Sequence, residues 1–184
     1  MTSVDACESR RNIFLVGLMG AGKTSVGRLL AKDLRMTFID CDHEIEKRTG
    51  VTVSVIFEIE GEEGFRRRES ALLHELVRAE NVVLATGGGA VLWQENREAL
   101  ARHGFVVYLR ANVDELWQRT RHDRNRPLLR TEDPRARLAD LFEQRDPLYR
   151  EVADITVDTG AQSLRQLVSQ LELRLRQSLP REPA

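Results

Sequence analysis

The sequence predicts an α/β fold in which helices cover both faces of a parallel sheet. Short apolar runs, such as IFLV at 13–16, alternate along the chain with longer amphipathic stretches. Strands that are apolar throughout are typical of parallel sheets buried on both faces. A glycine-rich loop directly follows the first apolar run. Because ligands bind such sheets at the carboxyl ends of the strands, we expect a site at that edge.

The alternation places twelve elements along the chain. The five apolar runs predict strands at 13–16, 37–40, 82–85, 105–109 and 154–158. The amphipathic stretches predict helices at 23–34, 42–48, 62–80, 94–103, 113–120, 134–152 and 163–177. We expect a flexible polar leader over 1–11, a single domain over 12–177 and a frayed tail over 178–184.

Composition excludes several classes of protein. A formal net charge of -1 over 184 residues gives no overall basic field for nucleic acid or a membrane surface. The two cysteines, Cys7 and Cys41, form no C-x-x-C motif, which argues against a zinc site or a disulfide framework and favours a reducing cytoplasm. The leader lacks the apolar region of a secretory signal, and no apolar stretch approaches the ~18 residues that span a bilayer. The size and the lack of an exposed apolar stripe are compatible with a monomer.

The segment GLMGAGKT at 17–24 matches the phosphate-loop pattern G-x-x-x-x-G-K-[ST]. Its glycines let successive backbone N–H groups point at phosphate oxygens, and the following helix presents its positive end to the same anion. Lys23 would reach the β- and γ-phosphates of ATP, and we expect its ammonium group to face solvent in the empty protein. The Thr24 hydroxyl would hold Mg²⁺. The predicted ATP cradle consists of Gly20, Ala21, Gly22, Lys23, Thr24 and Ser25.

The second predicted strand ends in two aspartates, Asp40 and Asp42. Residues two apart in an extended chain point the same way, so both carboxylates are expected on one side and Cys41 on the other. One carboxylate could serve Mg²⁺ through water while the other takes a proton from an acceptor hydroxyl. Alternatively, Asp42 caps the following helix.

Glycines and arginines mark the remaining candidate positions. Gly87, Gly88 and Gly89 follow the third predicted strand, where a loop nearly free of side chains would let a small polar ligand lie against the backbone. In FRRRE at 65–69, one arginine facing the sheet edge could receive a carboxylate, while Arg67 is expected on a solvated face. The arginine-rich segment 119–134 is either a solvated loop or a lid that closes over the nucleotide.

Taken together, these motifs resemble the shikimate kinase family. The resemblance rests on GLMGAGKT (17–24), DCD (40–42), the stretch from Ile56 to Glu69, TGGGAV (86–91), RPLL (126–129) and RDPLYR (145–150), in that order over about residues 12–175. It implies a three-layer phosphate-loop kinase whose five parallel strands have the order 2-3-1-4-5, with a mobile lid at about 121–133 and a substrate-binding region at about 42–70. It also implies ATP-dependent phosphorylation of the 3-hydroxyl of shikimate, a step of aromatic amino acid biosynthesis.

The resemblance assigns roles on the substrate side. It makes Asp42 the partner and base of the shikimate hydroxyl, and it leaves Asp40 to Mg²⁺ through water. Arg66 and Arg145 would clasp the shikimate carboxylate. Gly88, with its neighbours Gly87 and Gly89, would line the substrate.

The resemblance also assigns roles on the nucleotide side. Arg126 of the lid would meet the ATP phosphates and act in catalysis together with Lys23. Arg119 is expected near adenine. Gln162 is expected to touch adenine from the loop that follows the last strand.

Two other functions compete with this one. A gluconate or nucleoside monophosphate kinase could use the same scaffold, but it would not be expected to combine D-x-D, a triple glycine and two carboxylate-binding arginines in this order. A nucleotide-binding switch is the second alternative. The N-K-x-D and D-x-x-G motifs of a GTPase are absent from the sequence.

Overall fold

The computed structural model describes residues 12–123, 126–160 and 162–178, in which five strands form one parallel sheet. The strand order is β2-β3-β1-β4-β5, which confirms the predicted topology. The strands are β1 (Ile13–Val16), β2 (Thr37–Asp40), β3 (Val82–Ala85), β4 (Phe105–Arg110) and β5 (Ile155–Asp158).

Within the same residues, seven α-helices connect and cover the strands. They are α1 (Lys23–Leu34), α2 (Cys41–Thr49), α3 (Val53–Leu76), α4 (Gln94–His103), α5 (Val113–Thr120), α6 (Pro134–Val152) and α7 (Leu164–Ser178). Two short 3₁₀ turns, at Ala90–Leu92 and Pro127–Leu129, were not predicted from the sequence. The first follows the triple glycine and the second follows Arg126, and these residues line the site described below.

The core lies on both faces of the central strands. Every residue of β1 and β3 is buried, although neighbouring residues in a strand point to opposite faces. Helices therefore cover the sheet on both sides, as predicted. Helix α1 contacts α7, whereas α4 contacts both α3 and α6. The edge strand β2 is only partly buried.

Helix α3 differs most from its prediction. It begins at Val53 rather than at residue 62, after Thr52 accepts a hydrogen bond from the Val55 N–H at 3.4 Å. The chain then leaves helical geometry at Gly61, where φ is 71° and ψ is -179°. This kink interrupts the helical periodicity of the sequence, and for that reason the first turns of the helix were missed.

The two ends of the chain were predicted to be a flexible leader and a frayed tail. The expected leader, residues 1–11, and most of the expected tail, residues 179–184, lie outside the described residues. Ser178, which was expected in the tail, is the last residue of α7. In the three described ranges no helix combines the length and the apolar character that crossing a membrane requires.

A glycine at the start of β4 provides a test of core packing. A β-carbon at Gly104 would lie 2.5 Å from the ring of Phe14, which is fully buried in β1. The extended φ of -166° at Gly104 suits any residue, so only the overlap opposes a side chain there. We expect Gly104→Ala to lower the free energy of unfolding by about 1–3 kcal/mol, measured by urea denaturation.

Phe14→Leu supplies the control for that measurement, because it makes room for the added methyl group. In the Phe14→Leu background, Gly104→Ala should cost much less than it does alone. Equal costs in the two backgrounds would rule out the proposed overlap.

Candidate active site

The phosphate loop joins β1 to α1, and its backbone needs glycine. Gly20 and Gly22 have φ values of 81° and 95°, a conformation that strains residues with a β-carbon. The ammonium group of Lys23 donates to the carbonyl oxygens of Gly17 at 2.7 Å and Leu18 at 3.1 Å. Lys23 is therefore partly buried and held by its own loop, and the expectation that it faces solvent was wrong. Burial lowers its pKa to about 8, although Asp42 opposes the change.

The two aspartates lie in different elements. Strand β2 ends at Asp40, and α2 begins at Cys41, so Asp42 belongs to the first turn of a helix. The prediction that both aspartates belong to one extended strand was therefore wrong. Asp40 caps α2 by accepting from the His43 N–H at 3.2 Å, and its other oxygen accepts from the Thr24 hydroxyl at 2.7 Å. The cap is Asp40, not the alternative Asp42.

Asp42 has a buried oxygen that is not hydrogen-bonded, whereas both oxygens of Asp40 accept hydrogen bonds. This oxygen is Oδ1, which has no hydrogen-bond partner among the described residues. Burial raises the pKa of Asp42, the neighbouring charge of Asp40 raises it further, and Lys23 opposes the rise. A carboxylate with a raised pKa binds a proton more readily, which suits a general base.

The triple glycine after β3 makes room for charged side chains of other helices. A β-carbon at Gly87 would lie 1.9 Å from Oε1 of Glu69 and 3.1 Å from Oδ1 of Asp42. A β-carbon at Gly89 would lie 2.1 Å from the guanidinium carbon of Arg66. The missing side chains are thus required by the protein's own packing, in addition to the predicted role in leaving the backbone accessible.

Arg66 is buried in α3 with two carboxylates around it. Its guanidinium donates to Glu69 at 2.7 Å and to Glu62 at 3.1 Å. Burial alone would lower the pKa of Arg66, but these two carboxylates raise it. Arg67, in contrast, is exposed and pairs with Glu63, as the sequence predicted.

Arg145 in α6 is more deeply buried and has fewer partners. It is 2% exposed, and its Nε and Nη1 have no hydrogen-bond partner among the described residues. Its Nη2 lies 3.9 Å from the Glu62 carboxylate, and burial lowers its pKa. An arginine with unused donors is suited to bind an anion.

One cavity of about 460 Å³ brings most of the predicted residues together. The residues predicted for the site that line this cavity are Lys23, Asp42, Arg66, Gly87, Gly88, Gly89, Arg126 and Arg145. The sequence separates these residues widely, but the carboxyl ends of β1, β2 and β3 meet at this edge. The cavity also contains Glu69, which the sequence analysis did not single out.

The predicted lid segment forms part of the cavity wall. Arg126 lies at the cavity and donates from Nε to Asp123 at 2.9 Å. Arg130 donates to Glu58 of α3 at 2.8 Å, which links this segment to α3. Residues 124 and 125 of the expected lid lie outside the described residues.

The predicted adenine-side residues lie away from the cavity lining. Arg119 donates to the Gly20 carbonyl and to Thr159, both at 3.1 Å, and so joins the phosphate loop to the loop after β5. Gln162 donates to the Asp158 carbonyl at 3.2 Å, back toward its own strand. Ser25 is exposed on the first turn of α1.

Sequence reasoning missed two residues that complete the site. Glu69 holds Arg66 from three positions further along α3, and Tyr149 donates its hydroxyl proton to the Gly88 carbonyl from four positions after Arg145. Positions three or four apart in a helix lie on the same face. That spacing from each predicted arginine was the signal available in the sequence.

The cavity collects the unsatisfied polar atoms of the described residues. Five buried side-chain atoms in this part of the chain lack a hydrogen-bond partner: Oδ1 of Asp42, Nε of Arg66, Oε1 of Glu69, and Nε and Nη1 of Arg145. All four residues line the cavity. Buried polar groups are nearly always paired, so such a concentration indicates a site that a polar ligand completes.

Comparison with known proteins agrees with this geometry. The family model described as shikimate kinase matches residues 19–176. The shikimate kinase of Nitrosospira multiformis is 65% identical over 89% of this chain and 84% of its own, and that of Thiobacillus denitrificans is 58% identical over 95% and 98%. A solved structure of shikimate kinase from Acinetobacter baumannii in complex with shikimate is 53% identical, with a TM-score of 0.88 over 92% of this chain and 95% of that one.

The buried carboxylate of Asp42 should destabilise the empty protein. Because its pKa is raised in the folded state, folding disfavours the ionised form, and this cost is present at neutral pH and disappears as pH falls below about 4. Asp42→Asn should therefore be more stable than the unmodified protein at pH 7.5, by about 0.5–2 kcal/mol.

Thermal unfolding of the empty proteins at pH 7.5 and pH 4 tests the sign of that effect. The matched variant Asp40→Asn should show no gain, because Asp40 is fully engaged with Thr24 and His43. A lower midpoint for Asp42→Asn at pH 7.5 would contradict the assignment of Asp42 as an unsatisfied buried charge.

Proposed function

The chain belongs to the shikimate kinase family, and from that membership we propose that it transfers the terminal phosphoryl group of ATP to the 3-hydroxyl of shikimate. The products are shikimate 3-phosphate and ADP. This reaction is a step in the biosynthesis of chorismate and the aromatic amino acids. The family match also removes the support for a gluconate or nucleoside monophosphate kinase, and a nucleotide switch has no observation in its favour.

The proposal rests on the buried polar atoms without hydrogen-bond partners in the residues that line the cavity. Arg66 and Arg145 offer unused donors, which suit a carboxylate, while Asp42 and Glu69 offer unused acceptors, which suit hydroxyl groups. Shikimate is a small molecule with one carboxylate and three hydroxyls. A cavity of about 460 Å³ holds such a molecule with room for the phosphates beside Lys23.

Catalysis in this proposal consists of positioning and charge stabilisation. The two arginines fix the carboxylate end of shikimate, so that the 3-hydroxyl faces Asp42. Asp42 accepts the hydroxyl proton as the oxygen attacks phosphorus. On the other side, Lys23 exchanges its contacts with the Gly17 and Leu18 carbonyls for the phosphate oxygens, and Arg126 adds positive charge.

The residues beside the phosphate loop fit Mg²⁺. Thr24 and Asp40 place a hydroxyl and a carboxylate 2.7 Å apart, and magnesium prefers a few such oxygen ligands together with water and phosphates. We propose that Thr24 ligates the ion and Asp40 holds it through water. When bound, Mg²⁺ neutralises charge on the transferring phosphoryl group.

The remaining assignments complete the proposal. Arg119 lies between Gly20 and Thr159, a position that supports contact with the adenine ring, and Gln162 is proposed to approach adenine after leaving the Asp158 carbonyl. The small number of cysteines supports a cytoplasmic enzyme. We propose a monomer that acts on shikimate and ATP without nucleic acid or membrane.

An assay of ADP release with a panel of acceptors tests the proposed function. The purified protein should release ADP with shikimate, and at least about a hundredfold more slowly with gluconate or AMP. Quinate tests the ring, since it keeps the carboxylate but has a saturated ring. ADP release that no acceptor accelerates would overturn the proposal.

Two amide substitutions separate the roles of the aspartates. Asp42→Asn should lower kcat by roughly 10²–10⁴, while shikimate affinity stays within about tenfold. Asp40→Asn should instead raise the Mg²⁺ concentration required, and excess Mg²⁺ should restore much of the rate. These outcomes follow because only Asp42 has a free buried oxygen, and only Asp40 contacts Thr24.

The measurement is kcat as a function of Mg²⁺ concentration for both variants. Rescue of Asp42→Asn by Mg²⁺, without rescue of Asp40→Asn, would mean that the two roles are reversed.

A further inference from the structure

We propose that Tyr149 is a positioning residue for substrate binding, acting through Arg145 and Gly88. This inference rests on the proposed function, since it concerns how the substrate carboxylate is held. Tyr149 does not line the cavity. It lies behind the cavity wall, 1% exposed, one helical turn after Arg145 in α6.

The hydroxyl of Tyr149 has a single proton, and the structure shows where it goes. The hydroxyl donates to the carbonyl oxygen of Gly88, at the centre of the triple glycine. Once that proton is committed, only lone pairs remain on the oxygen. The hydroxyl can then act toward a neighbouring cation only as an acceptor.

The neighbouring cation is the guanidinium of Arg145. Its Nη1 lies 3.7 Å from the point where a β-carbon of Gly88 would be, so the guanidinium lies beside the glycine whose carbonyl accepts from Tyr149. Tyr149 raises the pKa of Arg145, against the larger effect of burial, which agrees with an oxygen lone pair facing the guanidinium. The Tyr149 hydroxyl therefore ties Arg145 to the glycine loop.

The ring of Tyr149 is itself fixed from behind. It packs against the ring of Tyr108 in β4, with centroids 4.9 Å apart. The Tyr108 hydroxyl donates to Asp146 at 2.8 Å, and neither residue lines the cavity. Asp146 also pairs with Arg110 and Arg150 near the surface. The two stacked tyrosines thus form one support, but only the hydroxyl of Tyr149 reaches the site.

This arrangement explains how an arginine with two unpartnered donors keeps a defined position. Of the carboxylates in the described ranges, Arg145 forms an ion pair with Glu62, and the 3.9 Å separation makes that pair weak. Without Tyr149 its guanidinium would be free to turn within the cavity wall. The substrate carboxylate would then bind a less ordered partner, and affinity rather than turnover would suffer.

Tyr149→Phe tests the inference, and Tyr108→Phe is its matched control. Each substitution removes one hydroxyl and keeps the buried, stacked rings. Tyr149→Phe should raise the KM and the calorimetric Kd for shikimate on the order of tenfold, as expected for losing an interaction with a charged group. Its kcat and its KM for ATP should change less than about twofold. Tyr108→Phe should lower the unfolding midpoint without changing the shikimate Kd.

A double-mutant cycle then tests the route through Arg145. In the Arg145→Lys background, Tyr149→Phe should have little further effect on the shikimate Kd. Additive effects of the two substitutions, an unchanged Kd for Tyr149→Phe, or an equal rise for Tyr108→Phe would each overturn the inference while leaving the proposed function intact. Absence of shikimate binding to the unmodified protein would overturn both.

Discussion

The candidate site is built around two buried guanidinium groups, those of Arg66 and Arg145. Burying a cation is costly unless it is paired. Arg66 is paired with Glu69 and Glu62, whereas Arg145 has only a hydroxyl and a distant carboxylate. The groups persist because the helices that hold them are anchored in a sheet whose central strands are completely buried. The stability of the core thus supports an electrostatically unfavourable site.

The strand order determines which residues can meet at that wall. Strand β3 lies between β1 and β2. The triple glycine at its end therefore lies between the phosphate loop and the junction of β2 and α2, where Asp40 and Asp42 are found. Glycines at 87 and 89 then admit Glu69 and Arg66 from α3, which other residues would exclude. A phosphate-binding loop and a carboxylate-binding wall become neighbours because of this topology and this lack of side chains.

Much of this could be predicted from the sequence, for reasons that differ between elements. Strands β1 and β3 matched their predictions because buried parallel strands are continuous apolar runs. Strand β2 also matched its prediction, although it is only partly buried. The start of α3 was missed because Gly61 breaks the helical pattern. The predicted position of Asp42 in an extended chain was wrong because α2 begins immediately after β2. The burial of Lys23 depends on how its own loop curls to bring the Gly17 and Leu18 carbonyls to the ammonium group, which the motif alone does not reveal. The contact of Tyr149 depends on the Gly88 carbonyl, which is remote in sequence and belongs to no local pattern.

The unsatisfied atoms also relate stability to function. Arg66 already pairs with Glu69. Within the described residues, the donors Nε of Arg66 and Nε and Nη1 of Arg145, and the acceptors Oδ1 of Asp42 and Oε1 of Glu69, have no hydrogen-bond partner. A ligand with a carboxylate at one end and hydroxyls at the other satisfies both sets at once. These unpaired groups destabilise the empty protein. A substrate that binds only the folded protein stabilises it by mass action, so substrate binding should raise the free energy of unfolding. A site that is built to bind substrate is therefore less stable when empty than a fully paired site would be.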